Sequence, residues 1–294
     1  MKFFDLNKNV WQWITLLFLA IIWGSSFILM KKGLVVYSPN IVAALRVSLA
    51  FIVLAPFAIK FVKKVKLKDW KYLVFAGVIG NGIPAFLFTF AQTEVASSLT
   101  GMLNSLVPIF SLIFGVILFN TKPVKTQVLG IFLGLVGACG LIFSNGLPTE
   151  NSNFYYTLLI VLATVCYALS VNVIKTYLKE INSIHIAALS FLSIGPFAII
   201  YLLTTNFVAV TINNPASFVA LIYISILAIL GTALAIIVFN MLIKTTTTIF
   251  ATSVTYLIPI VAIFWGLFDG ETLSINQVIS ALITLVGIYF INKK

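Results

Sequence analysis

Long apolar segments separated by short polar ones run along the whole chain. The apolar segments, each of roughly 20 residues, are long enough to cross the hydrocarbon core of a bilayer as helices. A membrane strand would instead alternate polar and apolar residues over about ten positions. We therefore predict an all-α integral membrane protein. Its roughly ten transmembrane helices are expected near residues 11–30, 39–59, 71–92, 98–119, 125–144, 154–174, 184–204, 216–237, 247–268 and 275–292.

The chain contains two related copies of one unit. Pro108 aligns with Pro259, and the same offset pairs Gly80 with Gly231. An odd number of helices in each copy reverses the second copy in the membrane, which is a common design of carriers. We predict two inverted five-helix repeats, at residues 1–146 and 154–294. The turn-rich segment 147–153 is predicted to link them.

Composition agrees with a bilayer environment. The chain is 61% hydrophobic and 9% charged, with a mean hydropathy of +1.15. A net charge of +11 does not indicate a nucleic-acid partner, because the basic residues, including the run at 60–71, gather on one side of the predicted helices. The positive-inside rule then places both termini in the cytoplasm of a multi-pass plasma (bacterial inner) membrane protein. Lipid and a small-molecule substrate are the expected partners.

Residues that could support catalysis are scarce. His185 is the single histidine, and the predicted helix interiors contain neither Asp nor Glu. No metalloprotease, nucleophile-elbow or phosphate-loop motif is present. The sequence therefore predicts no enzyme, no cofactor and no metal site.

Several short motifs resemble those of the EamA branch of the drug/metabolite transporter superfamily. They are Trp23-Gly24-Ser25-Ser26-Phe27, Arg46, Pro108, Gly270-Glu271, Gln277 and Gly287. The resemblance implies two inverted five-helix repeats and a central cavity lined mainly by helices 1, 3, 4, 6, 8 and 9. It also implies the movement of small metabolites, often amino acids. The first repeat departs from the pattern, because Phe119-Asn120 stands where the second repeat has Gly270-Glu271.

Arg46, the only arginine, is a candidate substrate anchor. If the second helix begins near Pro39, Arg46 lies roughly 10 Å into the membrane. A guanidinium there could hold a carboxylate with two parallel hydrogen bonds. Alternatively, Arg46 is structural and bonds helix-end carbonyls or reaches outward to Glu94 or Glu271. The sequence leaves both interpretations open.

The third and eighth helices contain matched interruptions. The segment from Gly80 to Pro84 lies opposite the segment from Gly231 to Ala235, and backbone groups freed at such breaks can bind a substrate. Asn81 is the candidate contact, although close packing of small residues is an equal alternative. Only the first copy contains proline, so unwinding is expected there more than near Gly231.

The fourth and ninth helices contain prolines that kink them and free a carbonyl about one turn earlier. Further candidates are aromatic residues that lie deep in the membrane or beside polar positions. Hinge formation, helix packing and lipid contact are the alternatives. The predicted substrate-binding set is Trp23, Ser26, Arg46, Asn81, Asn104, Tyr167, Thr252, Thr255, Tyr256 and Trp265.

Glycines recur at three- and four-residue spacing in the fifth helix, at Gly130, Gly134, Gly137 and Gly140. Such a face suits either a close-packed neighbouring helix or a homodimer. In function, the sequence favours a secondary transporter that exports small metabolites such as amino acids by alternating access. A nucleotide-sugar or nucleobase carrier, a passive channel and a membrane scaffold are the alternatives.

Overall fold

The computed structural model describes residue 6 and residues 8–143 and 154–292. Within these residues the regular secondary structure is helical throughout, and nine helices are long and apolar enough to span a membrane. A tenth apolar helix is shorter. The predicted linker 147–153 lies outside the described residues. We number the helices α1 Asn9–Leu34, α2 Pro39–Phe61, α3 Leu67–Ala91, α4 Ser97–Phe119, α5 Lys125–Ile142, α6 Phe154–Tyr177, α7 Ser183–Thr204, α8 Ser217–Thr245, α9 Thr248–Phe268 and α10 Ile275–Asn292.

The helices pack in pairs that recur when the two halves are exchanged. Helix α2 packs on α7, α4 on α9, and α5 on α10. The pair α3–α6 has its counterpart in α8–α1, and the pair α4–α6 in α9–α1. This exchange symmetry is what two inverted five-helix repeats produce, and it places an interface between the repeats at the centre of the protein.

The glycine face of α5 packs against α10 of the same chain. A Cβ added at Gly130 would lie 2.5 Å from the carbonyl oxygen of Gly287, and one at Gly137 would lie 2.6 Å from the amide of Thr284. The glycines therefore let two backbones approach closely. Of the two alternatives from the sequence, the structure shows the close-packed helix. A homodimer through α5 would have to use a different face of that helix.

Both halves contain a π-helical turn near the middle of their third helix. The turns span Val78–Gly82 in α3 and Ile229–Leu234 in α8. In each, a polar side chain donates to the carbonyl five residues earlier: Asn81 to Ala76 at 2.8 Å and Thr232 to Leu227 at 3.1 Å. The expectation that unwinding would be favoured in the proline-containing copy over the copy near Gly231 was therefore wrong. Both turns contain a polar side chain that donates a hydrogen bond to the freed carbonyl, whereas only the first turn is followed by a proline.

Helices α4 and α9 are each interrupted just before their proline. Helix α4 breaks after Asn104 and resumes at Val107, and α9 passes through a 3₁₀ segment, Ser253–Tyr256. Pro108 and Pro259 then lie in the first turn of the following helical segment, where a missing N–H costs little. The interrupted helices α4 and α9 come from different repeats and pack against each other, so both breaks lie near the interface between the repeats.

Candidate functional site: the central cavity

A cavity of about 110 Å³ lies between the two repeats. Residues of α1, α3, α4, α6, α8 and α9 line it, as the family resemblance implies. Helices α2 and α7 also contribute, through Arg46 and Phe191 respectively. Most of the wall is aromatic or aliphatic, so the polar groups on it stand out as potential contacts.

Most of the predicted binding residues meet at this cavity. The seven on its wall are Trp23, Ser26, Arg46, Asn81, Asn104, Tyr167 and Thr255. They come from six different helices of both repeats. Seven of the ten predicted residues thus line one cavity, while substrate contact by each of them remains a prediction.

Three predicted residues lie elsewhere in this structure. The hydroxyl of Thr252 donates to the carbonyl of Thr248 within α9, at 2.9 Å. The hydroxyl of Tyr256 donates to the carbonyl of Ile288 in α10, at 3.1 Å. Trp265 is 39% exposed and donates to the hydroxyl of Ser25, at 2.8 Å. Thr255 and Tyr256 are neighbours in the 3₁₀ segment and turn in different directions, so that Thr255 lines the cavity and Tyr256 contacts α10.

Two opposite walls of the cavity repeat the same arrangement. On one wall the rings of Trp23 and Phe239 meet edge to face, with centroids 4.9 Å apart. On the other, Tyr167 stacks on Phe88 with centroids 5.7 Å apart. Trp23 also donates its indole N–H to the carbonyl of Gly231, at 2.9 Å.

The glycines of the π turns complete these walls. A Cβ at Gly231 would lie 2.7 Å from the hydroxyl of Ser26, and one at Gly80 would lie 2.1 Å from that of Ser170. Each contact is the counterpart of the other when the repeats are exchanged. The apolar frame of the cavity is therefore close to two-fold symmetric.

The charge in the cavity breaks that symmetry. Arg46 is 8% exposed and donates from Nε to the hydroxyl of Thr232, at 2.9 Å. The hydroxyl of Tyr167 lies next to the same guanidinium. Among the described residues, no carboxylate forms an ion pair with Arg46, because the acidic groups in ion pairs are Asp269 and Glu271 and their partners are Lys31 and Lys32. Arg46 is thus a buried cation that forms no ion pair within the part of the chain that the structure describes.

Sequence reasoning missed several cavity residues, of which Asn240 is the most informative. Asn240 is 2% exposed, and its Nδ2 has no hydrogen-bond partner among the described residues. The available signal was an amide within the apolar sequence of α8, five residues before that helix ends at Thr245, since polar side chains are costly in hydrocarbon. The sequence did not show which face of α8 turns towards the cavity, so this amide could not be assigned to the cavity wall.

An ion-pair cluster joins the ends of helices from both repeats. Lys31 of α1 lies 2.7 Å from a carboxylate oxygen of Asp269 and 2.7 Å from one of Glu271, and Lys32 also pairs with Asp269. Glu271 accepts from the backbone amides of Ser97 and Ser98, each at 3.0 Å, at the start of α4. The cluster therefore ties α1, α4 and the end of α9 together beside the cavity.

Electrostatics keep the carboxylates of this cluster ionised. Burial acts to raise the pKa of Glu271, but hydrogen bonds from Lys31, Ser98 and Ser97 outweigh it and hold the pKa at about 2. For Asp269, the hydrogen bond from Lys31, followed by that from Lys32, lowers the pKa of the carboxyl. The N-terminus of α4 adds to this effect, because its free amides and dipole favour a negative charge.

Comparison with known families settles the class of protein. A model of the EamA-like transporter family matches residues 11–143 and again residues 155–293. The chain belongs to this family. It is therefore a multi-pass membrane protein of a transporter family, and each half is one copy of the family unit.

Similar proteins are known in several organisms. The chain is 28% identical over 261 residues to the "Uncharacterized inner membrane transporter YedA" of Escherichia coli strain K12, covering 87% of this chain and 82% of that protein. It is 23% identical over 277 residues to the "Uncharacterized transporter YoaV" of Bacillus subtilis strain 168, covering 92% of each. A "Probable amino-acid metabolite efflux pump" of Salmonella typhimurium is 28% identical over 152 residues, covering 51% of this chain and 50% of that protein.

A solved structure has the same fold. It is titled "Crystal structure of protein", aligns with a TM-score of 0.66 at 12% identity, and covers 97% of each chain. At this identity the likeness concerns the fold alone.

The structure also refines the comparison between the two EamA repeats. Asn120 has φ of 54° and Gly270 has φ of 81°, so these two residues share the left-handed position that ends their helices. The next residues, Thr121 and Glu271, each donate their amide to the carbonyl of a glycine near the end of the helix, to Gly115 at 2.9 Å and to Gly266 at 2.8 Å. Thr121, not Asn120, is therefore the counterpart of Glu271. The first repeat lacks the carboxylate in either alignment.

Proposed function

We propose that the protein is a secondary transporter that exports a small metabolite across the plasma membrane by alternating access. One observation carries this proposal: a central cavity lies at the interface of two inverted repeats, and an ion-pair cluster joins the repeats at one end of it. Inverted repeats can rock about a shared site and expose it to each side in turn. Breaking and re-forming such a cluster is one way to gate that motion.

The size of the cavity favours a small metabolite. Pockets for drug-sized ligands have volumes of about 300–1,000 Å³, whereas this cavity has about 110 Å³. A nucleotide sugar would need a substantially larger space than the structure provides. The size supports a metabolite of amino-acid dimensions, in keeping with the name of the efflux pump from Salmonella typhimurium.

Charge placement supports a cytoplasmic location for both termini. The helix ends that carry the run from Lys60 to Lys71 would face the cytoplasm, and the ion-pair cluster would then face outward. Lys175 and Lys244 lie at the same inner level, and Lys175 bonds the carbonyl of Ile243 at 2.7 Å while Lys244 bonds that of Ile181 at 2.6 Å. In this orientation ion pairs join the two repeats at the outer end, whereas the two inner lysines bond backbone carbonyls within the second repeat.

Reconstitution separates a carrier from a passive channel or a scaffold. A metabolite library would first be screened for compounds that raise the melting temperature of the purified protein, because ligand binding to the folded state stabilises it. The hits would then be tested for counterflow in proteoliposomes, with protein-free liposomes as the control. A carrier gives saturable counterflow that an unlabelled hit competes away. Linear, non-competable flux or no flux with any hit would contradict the proposal.

A further inference from the structure

The polar groups of the cavity are distributed unevenly over its symmetric frame. Exchange of the repeats pairs Trp23 with Tyr167 and Ser26 with Ser170, each 144 residues apart. The same offset pairs Arg46 with Ser190, which lies on α7 and does not line the cavity. A symmetric frame is sufficient for packing and rocking, so a charge present in one half alone requires another explanation.

Arg46 is not needed to hold its neighbours in place. Its Nε bonds Thr232, but the hydroxyl of Thr232 is itself satisfied as a donor by the carbonyl of Leu227. In the other repeat, the corresponding side chain, Asn81, bonds Ala76 without help from an arginine. The π turn therefore forms with or without the guanidinium. A structural role would also leave a buried cation uncompensated, which is costly.

The cavity wall around Arg46 offers no carboxylate to compensate a second cation, since none of its described residues is Asp or Glu. Asn240, on α8 as Thr232 is, has a buried Nδ2 donor without a partner. When the repeats are exchanged, Asn240 corresponds to Thr89, whose hydroxyl is satisfied by the carbonyl of Ala85. The guanidinium of Arg46 and the Nδ2 of Asn240 are thus two hydrogen-bond donors on the wall whose counterparts in the exchanged repeats, Ser190 and Thr89, do not line it.

Resting on the proposed transport function, we infer that the substrate is a small organic anion with one carboxylate on an apolar body, rather than a zwitterion or a cation. The guanidinium of Arg46 would hold the carboxylate through its fork of N–H donors. The aromatic wall, including Phe88, Phe191 and Phe239, would cover the apolar body. An ammonium group would have to leave water beside Arg46 without any carboxylate to pair with.

A series of compounds built on the same 3-methylbutyl group tests this inference. It comprises 4-methylpentanoate (anion), leucine (zwitterion), 4-methylpentanamide (neutral) and 3-methylbutylamine (cation). Affinity would be measured by thermal shift of the wild-type protein and by competition in counterflow. We expect the anion to bind at least about tenfold more tightly than the other three compounds, the size of effect that one charge-assisted hydrogen bond produces.

Two substitutions and a matched control assign the preference to the named residues. Arg46→Gln should bring the affinities of all four compounds to within about threefold of one another, whereas Arg46→Lys should retain part of the preference for the anion. The control, Ser190→Ala, changes the two-fold related position outside the cavity and should leave the preference unchanged. The wild-type series decides the inference even if Arg46→Gln does not fold.

The outcomes separate this inference from the proposed function. Saturable counterflow with leucine or the amine but not with the carboxylate would overturn the inference and leave the transporter intact. Equal preference for the anion in wild type and Arg46→Gln would also overturn it, since the anchor would then lie elsewhere. The transporter itself fails only if no compound of the wider library gives saturable counterflow.

Discussion

The carboxylate of Glu271 accepts a hydrogen bond from the backbone amide of Ser97, across the interface between the two repeats. The same carboxylate pairs with Lys31 of α1, so one acidic side chain connects helices from both halves. Glu271 follows the end of α9 at Phe268, and α1, α4 and α9 all contribute residues to the cavity wall. Movement of α1 or α4 away from α9 would have to break these bonds.

Replacing this acid should loosen the connection. We expect Glu271→Gln to lower the free energy of unfolding by about 1.5–3 kcal/mol, because it removes charge-assisted hydrogen bonds from a largely buried group. A cysteine at Asn104 should also react faster with a membrane-impermeant reagent added from outside. The measurements are thermal unfolding in detergent and labelling rates in cells.

The matched control for that prediction is Lys32→Met. Among the described residues Lys32 forms an ion pair with Asp269 alone, and its side chain is 41% exposed, so its loss should cost about 0–1 kcal/mol. Equal effects of Glu271→Gln and Lys32→Met on stability and on labelling would contradict a gating role for Glu271.

Acid should weaken the same cluster. The pKa of Glu271 is held at about 2, below the ordinary value of 4.5 that an unfolded chain would show. Its contribution to stability is therefore complete above pH 5 and is lost as the pH falls from about 5 towards 2. We expect the melting temperature of the wild type to decline over this window, and Glu271→Gln to flatten the decline. Identical pH profiles for the two proteins would show that another group titrates.

Topology can be checked with single cysteines in a background in which Cys139 and Cys166 are replaced by serine. A cysteine at Thr93 should be labelled by an impermeant maleimide in intact cells, whereas one at Lys64 should be labelled after permeabilisation. Both positions are exposed in the structure, so failure to react would not reflect burial. The reverse pattern would invert the proposed orientation.

Transport should not depend on a proton gradient. Proton-coupled carriers commonly use a membrane-embedded carboxylate or histidine, and the cavity wall contains neither among the described residues. We expect counterflow to persist at a similar rate after a protonophore is added. If the protonophore abolishes gradient-driven accumulation and Glu94→Gln or Glu271→Gln does the same, the proposed mode of coupling is wrong.

Packing of α5 on α10 should tolerate no added volume. A Cβ at Gly137 would lie 2.6 Å from the amide of Thr284, so Gly137→Ala should destabilise the protein by about 1–3 kcal/mol through overpacking. Gly82→Ala is the control, since its Cβ would find its nearest neighbour at 3.5 Å. Equal melting temperatures for both variants would contradict the close approach of α5 and α10.

Prediction from the sequence was most reliable where a local property decided the outcome. The start of α2 at Pro39 and the breaks before Pro108 and Pro259 follow from the chemistry of proline at those positions. It was less reliable where a similar break formed without a proline. The π turn near Gly231 was underrated because no proline marks it, although the hydroxyl of Thr232 donates there to the carbonyl of Leu227.

The bilayer explains what the sequence determined by itself. A backbone in hydrocarbon must satisfy its own hydrogen bonds, so the length and repetition of apolar segments determine the helices, their number and the inverted repeat. Tertiary structure alone decided which side chains meet. Arg46 and Thr232 are 186 residues apart, and Lys31 and Glu271 are 240 apart. These neighbours exist because the two halves pack against each other, and no local pattern encodes which face of a helix turns towards its partner.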